Sequence, residues 1–531
     1  MPPNGWFAFW LLTQSKRNIC RILLLQKRDG RKGDFKMRKA GILMPILSLP
    51  SPYGIGTMGA DAREFVDFLA AAGQSCWQVL PLGPTSYGDS PYQSFSSFAG
   101  NPYFIDLDTL ESEGLLEKSE YQDLEWVGHP EYVDYERIYN LRYPVLRKAC
   151  ERLLAQNRPD FTRFCEEEAS WLEDYALFMA LKDKYHGNAW FTWPEGVRLR
   201  KKVSLIRARK ELDKAVSFWK GVQYLFFRQW GALKAYAKSK VIAIIGDLPI
   251  YAAGDSADVW ANQDRFQLDE KGLPTEVAGC PPDAFTEDGQ LWGNPLFDWE
   301  KMREDGYAWW LKRIAFQFRL YDTLRIDHFR GFESYYAIPY GDATARNGRW
   351  RPGPGIEFFR KVNETLGEKD IIAEDLGFLT PEVHQLLHDT GYPGMKILEF
   401  AFDSGEGGND YTPHNHPRHC VVYVGTHDNE PIHGWIPTLS KENWAFVRDY
   451  LRLTEEEGYH WGMIRGAWAS PADLAVMQFQ DILGLGSEAR MNIPSTLGCN
   501  WKWRTLPGTY SMELAQKLHR DMEVYQRLPR G

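Results

Sequence analysis

The sequence of 531 residues lacks the cysteine patterns of a disulfide framework or a zinc site. Its seven cysteines are odd in number and widely spaced, and they form neither a CxxC pair nor a Cys/His cluster. They are Cys20, Cys76, Cys150, Cys165, Cys280, Cys420 and Cys499. This pattern favours free thiols in a reducing cytoplasm.

Long hydrophobic runs and surplus positive charge are missing too. The apolar run from Trp6 to Leu12 is too short to cross a bilayer, and its basic residues follow it, whereas a signal peptide places them first. The net charge of −9 argues against a nucleic-acid partner, because phosphate binding needs clustered Lys and Arg. We expect a neutral ligand, no membrane contact, and no function for residues 1–36, an N-terminal extension of doubtful order.

The chain also has no GxGxxG nucleotide fingerprint, yet its short β-branched runs alternate with helical patterns, as in parallel βα units. Eight runs predict strands, which favours an α/β fold of the (β/α)8 TIM-barrel type over an open doubly wound sheet. The predicted strands are Ala40–Pro45, Cys76–Leu80, Val241–Leu248, Thr323–Asp327, Ile371–Glu374, Lys396–Phe400, Cys420–Thr426 and Leu474–Phe479.

Two long gaps between these strands predict insertions in one catalytic domain over residues 37–531. The first, at about 111–238, has charged faces and apolar positions at helical spacing, so we expect helices there. The second, at 251–318, contains the Gly/Pro-rich stretch GLPTEVAGCPPDAFTEDGQLWGNP, which we interpret as a loop forming a lid over the barrel mouth.

Aromatic residues make up 14% of the chain, including 21 tryptophans. Most rings in a large protein belong to its core. Rings in polar, loop-like sequence have another use, because the flat C–H faces of sugars stack on them. The composition therefore indicates a saccharide groove.

Three acidic residues lie at the ends of predicted strands, where barrel enzymes keep their active sites. They are Asp327 in LRIDHF, Glu374 in IIAEDLG and Asp428 in YVGTHDN. A single one of them could equally be a helix cap or a structural partner. Three together, after predicted strands four, five and seven, indicate a catalytic set.

Retaining glycoside cleavage needs a carboxylate nucleophile and a second carboxyl, about 5–5.5 Å away, that acts first as acid and then as base. Asp327 and Glu374 follow adjacent predicted strands and fit this requirement. Arg325 shares a strand face with Asp327 by period-two alternation, so it is placed to keep a nucleophile ionised. The alternative for Arg325 is a purely structural ion pair.

Several stretches resemble the 4-α-glucanotransferases (amylomaltase or disproportionating enzyme), glycoside hydrolase family 77 of the α-amylase superfamily. The matching stretches span roughly residues 40 to 505: ILMPILSLPSPYGIG, CWQVLPLGPT, DSPYQSFSSFAGNPYFIDL, IGDLPIYAAGDSADVWAN, AGCPPDAFTEDGQLWGNPLFDW, LRIDHFRGFESYYAIP, AEDLG, GTHDN and ARMNIPSTLGCNWKWR.

The resemblance implies Asp327 as nucleophile, Glu374 as general acid/base and Asp428 as a third carboxylate that grips and distorts the bound glucose. It also implies five substrate-binding residues, with His328 as a more distant neighbour: Arg325, His427, Tyr92, Trp292 and Asp255. For Tyr92, Trp292 and Asp255 the alternative is a packing role.

The sequence departs from the family pattern at Ser495 and Cys499, where glycine is expected, so the shape of that loop is in question and the chemistry is not. Like the family, the chain is expected to lack the C-terminal β-sandwich domain of typical amylases.

The resemblance implies transfer of an α-1,4-glucan segment to the 4-OH of an acceptor sugar through a covalent glycosyl-enzyme. We expect no cofactor and no metal ion, malto-oligosaccharides as donor and acceptor, and a monomer or weak homo-oligomer. An α-1,4-glucan hydrolase and a non-catalytic glucan-binding protein are the alternatives. The compartment expected is the cytoplasm, or a plastid if the source is a photosynthetic eukaryote.

Overall fold

The computed structural model describes residues 38–86, 88–282, 287–377, 379–402 and 409–529. The predicted N-terminal extension, residues 1–36, lies outside these ranges. In chain order the strands are β1 (Lys39–Leu43), β2 (Cys76–Gln78), β3 (Ala243–Leu248), β4 (Glu276–Cys280), β5 (Gln290–Pro295), β6 (Thr323–Ile326), β7 (Ser334–Pro339), β8 (Arg349–Pro352), β9 (Ile371–Ala373), β10 (Gly394–Ile397), β11 (Cys420–Tyr423) and β12 (Leu474–Gln478).

The α-helices surround these strands, and several begin at a side chain that accepts a hydrogen bond from the first turn, as at Asp134 and Ser511. Their bounds are α1 (Ala60–Ala71), α2 (Leu107–Ser112), α3 (Tyr135–Ala155), α4 (Pro159–Glu167), α5 (Ala169–Lys184), α6 (Glu195–Arg198), α7 (Lys202–Glu211), α8 (Asp213–Ser239), α9 (Ala257–Ala261), α10 (Trp299–Glu304), α11 (Ala308–Leu320), α12 (Gly355–Leu366), α13 (Pro381–Thr390), α14 (Ile432–Trp435), α15 (Lys441–Leu451), α16 (Tyr459–Ala469), α17 (Phe479–Ile482) and α18 (Met512–Val524).

Eight parallel strands form a (β/α)8 TIM barrel in the order β10-β11-β12-β1-β2-β3-β6-β9. Each of the eight predicted strands corresponds to one of them, so the predicted fold class is confirmed. Between β9 and β10 the barrel closes through the Ala373 N–H, which donates to the Pro393 carbonyl at 3.0 Å, and through the Met395 N–H, which donates to Asp375 Oδ1 at 2.6 Å. A side chain thus replaces a ladder acceptor at the seam.

The barrel interior changes from apolar to polar toward the carboxyl ends of the strands. Its apolar part is one buried cluster: Leu43, Cys76, Ile245, Ile372, Met395, Ile397, Val421, Tyr423 and Val476. Because side chains alternate along a strand, Asp247 and Arg325 point into the same interior, one layer closer to the barrel mouth. A buried charge there requires partners, and this requirement shapes the site.

The stretch from residue 272 to 299 is more regular than predicted. It contributes β4 and β5 to an antiparallel sheet of order β5-β4-β7-β8, so the interpretation of this stretch as a loop was wrong. The pairing partner β7 lies more than 50 residues further along the chain, and glycines and prolines obscure the alternation.

Between β2 and β3 lie α2 to α8, and between β12 and residue 529 the described chain contains helices and no strand. None of the described helices is long and apolar enough to cross a membrane.

Arg527 attaches the chain's C-terminal segment to the barrel, and its replacement tests this attachment. The buried guanidinium donates to the carbonyls of Trp468, Lys39 and Ser470 at 2.9, 2.8 and 3.2 Å. We expect Arg527→Ala to lower the free energy of unfolding by about 2–4 kcal/mol, because it leaves buried acceptors unpaired. Urea unfolding measures this, with the exposed Arg520→Ala as the control expected to change it by less than about 0.5 kcal/mol. Equal unfolding curves for the two variants would contradict the assignment.

Candidate active site

The site is organised around Arg325, which is buried at the polar end of the barrel interior. Asp247 on β3 is its register partner. Arg325 Nη1 donates to Asp247 at 2.6 and 2.8 Å and to Asp327 Oδ1 at 3.1 Å. Tyr92 donates its hydroxyl to Asp247 Oδ2 at 2.9 Å. The Arg325 guanidinium therefore binds two carboxylates, Asp247 and Asp327, and Tyr92 holds Asp247 in place.

Asp327 immediately follows β6, and its N–H donates to the Leu248 carbonyl at the end of β3 at 3.0 Å. The next residue, His328, has φ 51°, in the left-handed region, which turns the chain sharply into a 3-10 helix at Phe329–Phe332. This turn directs the His328 N–H to Glu374 Oε2, at 2.6 Å. The turn after β6 thereby links the two predicted catalytic carboxyls.

Glu374 follows β9, the neighbour of β6, at the position opposite Asp327 in the register. Its N–H donates to the Ile326 carbonyl at 3.0 Å, and its Oε1 accepts the Leu376 N–H at 3.0 Å. Both carboxyls thus project from the carboxyl ends of adjacent parallel strands, as the sequence predicted.

Burial controls the charges of this pair. It raises the pKa of Glu374 to about 7, although Arg325 and two backbone N–H donors act in the opposite direction. It also raises the pKa of Asp327, while the Arg325 guanidinium lowers it. Coupled carboxyls titrate as a unit. Because Arg325 donates directly to Asp327, the anion is favoured on Asp327 and the proton on Glu374.

Asp428 lies further from its strand, in the segment after β11, and other side chains hold it in place. Asn492 Nδ2 donates to its Oδ1 at 2.6 Å, and His427 Nε2 lies 3.4 Å from its Oδ2. Arg490 donates to its carbonyl at 2.8 Å. Burial lowers the pKa of His427, so its imidazole is neutral and available for hydrogen bonding near pH 7.

Aromatic rings border the carboxyls. The rings of Tyr92 and His427 stack with centroids 5.1 Å apart, and Trp501 packs 5.7 Å from Tyr92. On another side, Trp292 of β5 meets His328 edge-on at 4.8 Å. Both Tyr92 and Trp292 are partly exposed, so their surfaces are accessible to a sugar.

Asp255 already has protein partners for both of its carboxylate oxygens. Its Oδ2 accepts Lys182 Nζ of α5 at 2.6 Å, and its Oδ1 accepts the Trp190 N–H at 3.1 Å. The carboxylate therefore fastens the helical segment between β2 and β3 to the loop after β3. A sugar contact by Asp255 stays a prediction.

The loop carrying Ser495 and Cys499 keeps a defined shape without the expected glycines. Ser495 has φ 65°, a conformation that favours glycine and costs a serine about 1 kcal/mol. Asn500 holds the loop by accepting the Ile493 N–H at 3.0 Å and donating to the Thr496 carbonyl at 3.0 Å. Cys499 is exposed.

Asp247 and Asn492 were not predicted as site residues from the sequence. Asp247 was detectable, because it is a carboxylate at an inward position of a predicted strand, where burial requires a partner. Asn492 does not stand directly after a predicted strand, and it lies 64 positions from Asp428 in the sequence. Only the folded chain shows their contact.

Comparison with known proteins identifies the family. The model of glycoside hydrolase family 77, described as 4-alpha-glucanotransferase, matches residues 44–509. A 4-alpha-glucanotransferase of Clostridium butyricum is 51% identical, over 91% of this chain and 100% of the relative. The chain belongs to the 4-alpha-glucanotransferase family. Its activity is that of a 4-alpha-glucanotransferase on α-glucans, as the resemblance implied.

Two further similarities agree with this membership. The 4-alpha-glucanotransferase of Thermus thermophilus is 48% identical, over 92% of this chain and 99% of the relative. A solved amylomaltase of Streptococcus agalactiae, in complex with acarbose, superposes with a TM-score of 0.91 at 41% identity, covering 93% of this chain and all of that one.

The Arg325–Asp247 contact can be tested in this family member by replacing Asp247→Asn. The neutral amide leaves one anion for the buried guanidinium, so Arg325 is drawn more strongly to Asp327 and weakens it in its predicted role as nucleophile. We expect turnover of maltotriose to fall at least about tenfold, equivalent to ~1.4 kcal/mol in the barrier. The control is Asp258→Asn. Asp258 is a buried aspartate of α9, and its carboxylate accepts the Ser97 N–H. Similar turnover in the two variants would contradict this role.

Proposed function

We propose that this enzyme transfers glucan segments by a retaining double displacement, with Asp327 as nucleophile, Glu374 as general acid/base and Asp428 as the third carboxylate. The observation that carries the proposal is the unequal environment of two adjacent carboxyls. Asp327 accepts a hydrogen bond from Arg325, whereas Glu374 accepts only backbone N–H groups. Such a pair supplies an anion and an acid at the same pH.

In the first step Asp327 attacks the anomeric carbon as the glycosidic bond breaks. The departing sugar oxygen takes the proton from Glu374, which becomes a carboxylate. In the second step Glu374 removes the proton of the acceptor 4-OH, and that oxygen displaces Asp327 from the anomeric carbon. Two inversions give retention, and both carboxyls return to their starting protonation states.

Asp428 is proposed to bind hydroxyl groups of the glucose at the cleavage point. Its Oδ1 is fixed by Asn492, and its side chain is about two-fifths exposed, so it is accessible to a ligand. His427 and Tyr92 form a stacked aromatic wall beside it. A carboxylate held in this way distorts a sugar toward the transition state when its hydrogen bonds strengthen there.

Transfer requires that an acceptor sugar reaches the glycosyl-enzyme before water does. The sheet β5-β4-β7-β8 supports this preference, because it brings Trp292 to His328, the residue after Asp327. A sugar bound against Trp292 is oriented for attack, and orientation contributes large factors to rate. In this proposal the sheet acts as the lid predicted for residues 251–318. Residues 37–531 then form one catalytic domain.

We further propose α-1,4-glucans and malto-oligosaccharides as donor and acceptor, and the cytoplasm as the compartment. The six cysteines in the described part of the chain are free thiols, which suits a reducing environment.

A trapping experiment tests the covalent intermediate. With α-maltosyl fluoride as donor, fluoride leaves without a proton, so Glu374→Gln still forms the adduct but lacks the base for the second step. We expect a mass increase of one maltosyl unit, located on Asp327 by peptide mapping. Asp327→Asn is the control and should show no adduct. An adduct on another residue, or none in Glu374→Gln, would overturn the mechanism.

The acid role of Glu374 predicts a pH dependence with a defined sign. Since its pKa is raised to about 7, kcat/KM for maltotriose should fall as the pH rises through 7 and the proton is lost. With α-maltosyl fluoride, which needs no acid, the same enzyme should not show this fall. An identical alkaline decline with both donors would assign it to another group.

A further inference from the structure

Two histidines outside the candidate active site meet at the protein surface. His433 lies on α14 and His460 on α16, 27 residues apart in sequence. His433 Nε2 and His460 Nδ1 are 3.1 Å apart, and their ring centroids are 4.9 Å apart with planes inclined by 52°. The sequence gives no sign of this pair, because the two helices come together only in the fold.

Two glycines leave room for the His460 ring. A Cβ on Gly458 would lie 3.2 Å from its Cε1, and a Cβ on Gly484 would lie 3.2 Å from both Cε1 and Nε2. Both glycines have positive φ, 88° and 66°, so the backbone there favours the residue that leaves this space. Trp461 adds a ring 5.4 Å away. His433 is exposed, which leaves the nitrogen pair accessible from solvent.

The nitrogen separation fits two ligands of one metal ion. Imidazole nitrogens bind zinc at about 2.0–2.1 Å, so two of them at an angle of roughly 98° lie about 3.1 Å apart. Imidazole is also a good ligand for copper and nickel. In the described part of the chain no group of three or more His, Cys, Asp and Glu side chains is arranged around a metal position, so water would fill the other coordination positions.

We propose that His433 and His460 form a two-histidine site for a divalent transition-metal ion of the nickel, copper and zinc series. Lys517 on α18 lowers the affinity of this site for a metal cation. Its ammonium lies 3.4 Å from the centroid of the Trp461 ring, the neighbour of His460, and so brings positive charge near the site. Its neighbour Asp521, 3.5 Å away, offsets part of that charge.

The expected consequence of occupancy is stabilisation. Metal bound to both rings links α14 to α16, and an ion that binds the folded chain more tightly than the unfolded chain raises the unfolding temperature. The linked segment is close to Asp428 in sequence, because α14 begins four residues after it. The first residue of α14 is held in place separately, since the Ile432 N–H donates to Asp481 Oδ1 at 2.7 Å. The proposed catalytic steps do not use this metal, so its test is independent of them.

The experiment uses the untagged full-length chain with Ni²⁺ alone, followed by calorimetric titration and thermal unfolding. We expect one Ni²⁺ per chain and a higher unfolding temperature that EDTA reverses. His433→Gln, at an exposed position, should bind at least tenfold more weakly and lose the thermal shift, as should His460→Gln.

The matched control is His388→Gln, at an exposed histidine whose charged neighbour is Asp389 at 3.3 Å. It should bind Ni²⁺ like the unchanged chain. Maltotriose turnover without metal, equal in His433→Gln and the unchanged chain, verifies that this variant is folded. No saturable binding, or equal binding by the unchanged chain and His433→Gln, would overturn the site and leave the two rings as a hydrogen-bonded pair.

Discussion

The guanidinium of Arg325 is buried inside the barrel, where an unpaired charge would cost several kcal/mol. Its neighbours Asp247 and Asp327 supply two negative charges for its one. Glu374 lies close enough to this group for the Arg325 charge to lower its pKa. Burial has the larger effect and raises the pKa of Glu374 to about 7, so its proton is retained near neutral pH. The Arg325 guanidinium therefore acts on the pKa of both Asp327 and Glu374.

The barrel makes this arrangement possible because its interior has two chemically different ends. Apolar side chains from seven of the eight strands fill one end. At the other end Gln78 accepts the Tyr423 hydroxyl at 2.8 Å, and Asp247 accepts that of Tyr92. The two tyrosine hydroxyls are neutral donors, so they occupy polar positions around Arg325 without adding charge. Strand alternation alone decides which side chains enter this layer, so the position of the ion pair follows from the register of β3 and β6.

Most of the barrel was predictable because each strand is a local pattern. The predicted boundaries differ from the observed ones by a few residues, as at β10, which begins at Gly394 and ends at Ile397 before a turn at Glu399–Ala401. Asp327 and Glu374 could be singled out from the sequence because they directly follow strands. The sheet containing β4 and β5 was missed because its pairing is non-local, and Asn492 was missed for the same reason. The contact between Asn492 and Asp428 joins residues 64 positions apart, and such a contact produces no periodic pattern in the sequence.

The three carboxylates therefore differ in how their positions are maintained. Asp327 and Glu374 are each one residue beyond a barrel strand, and backbone hydrogen bonds between neighbouring strands fix both. Asp428 is five residues beyond β11 and depends on side chains of a loop that includes the left-handed Ser495. A change in that loop is therefore expected to shift Asp428 more than Asp327 or Glu374. In the proposed mechanism the architecture thus separates the residues that carry out the bond exchange from the carboxylate that binds the sugar.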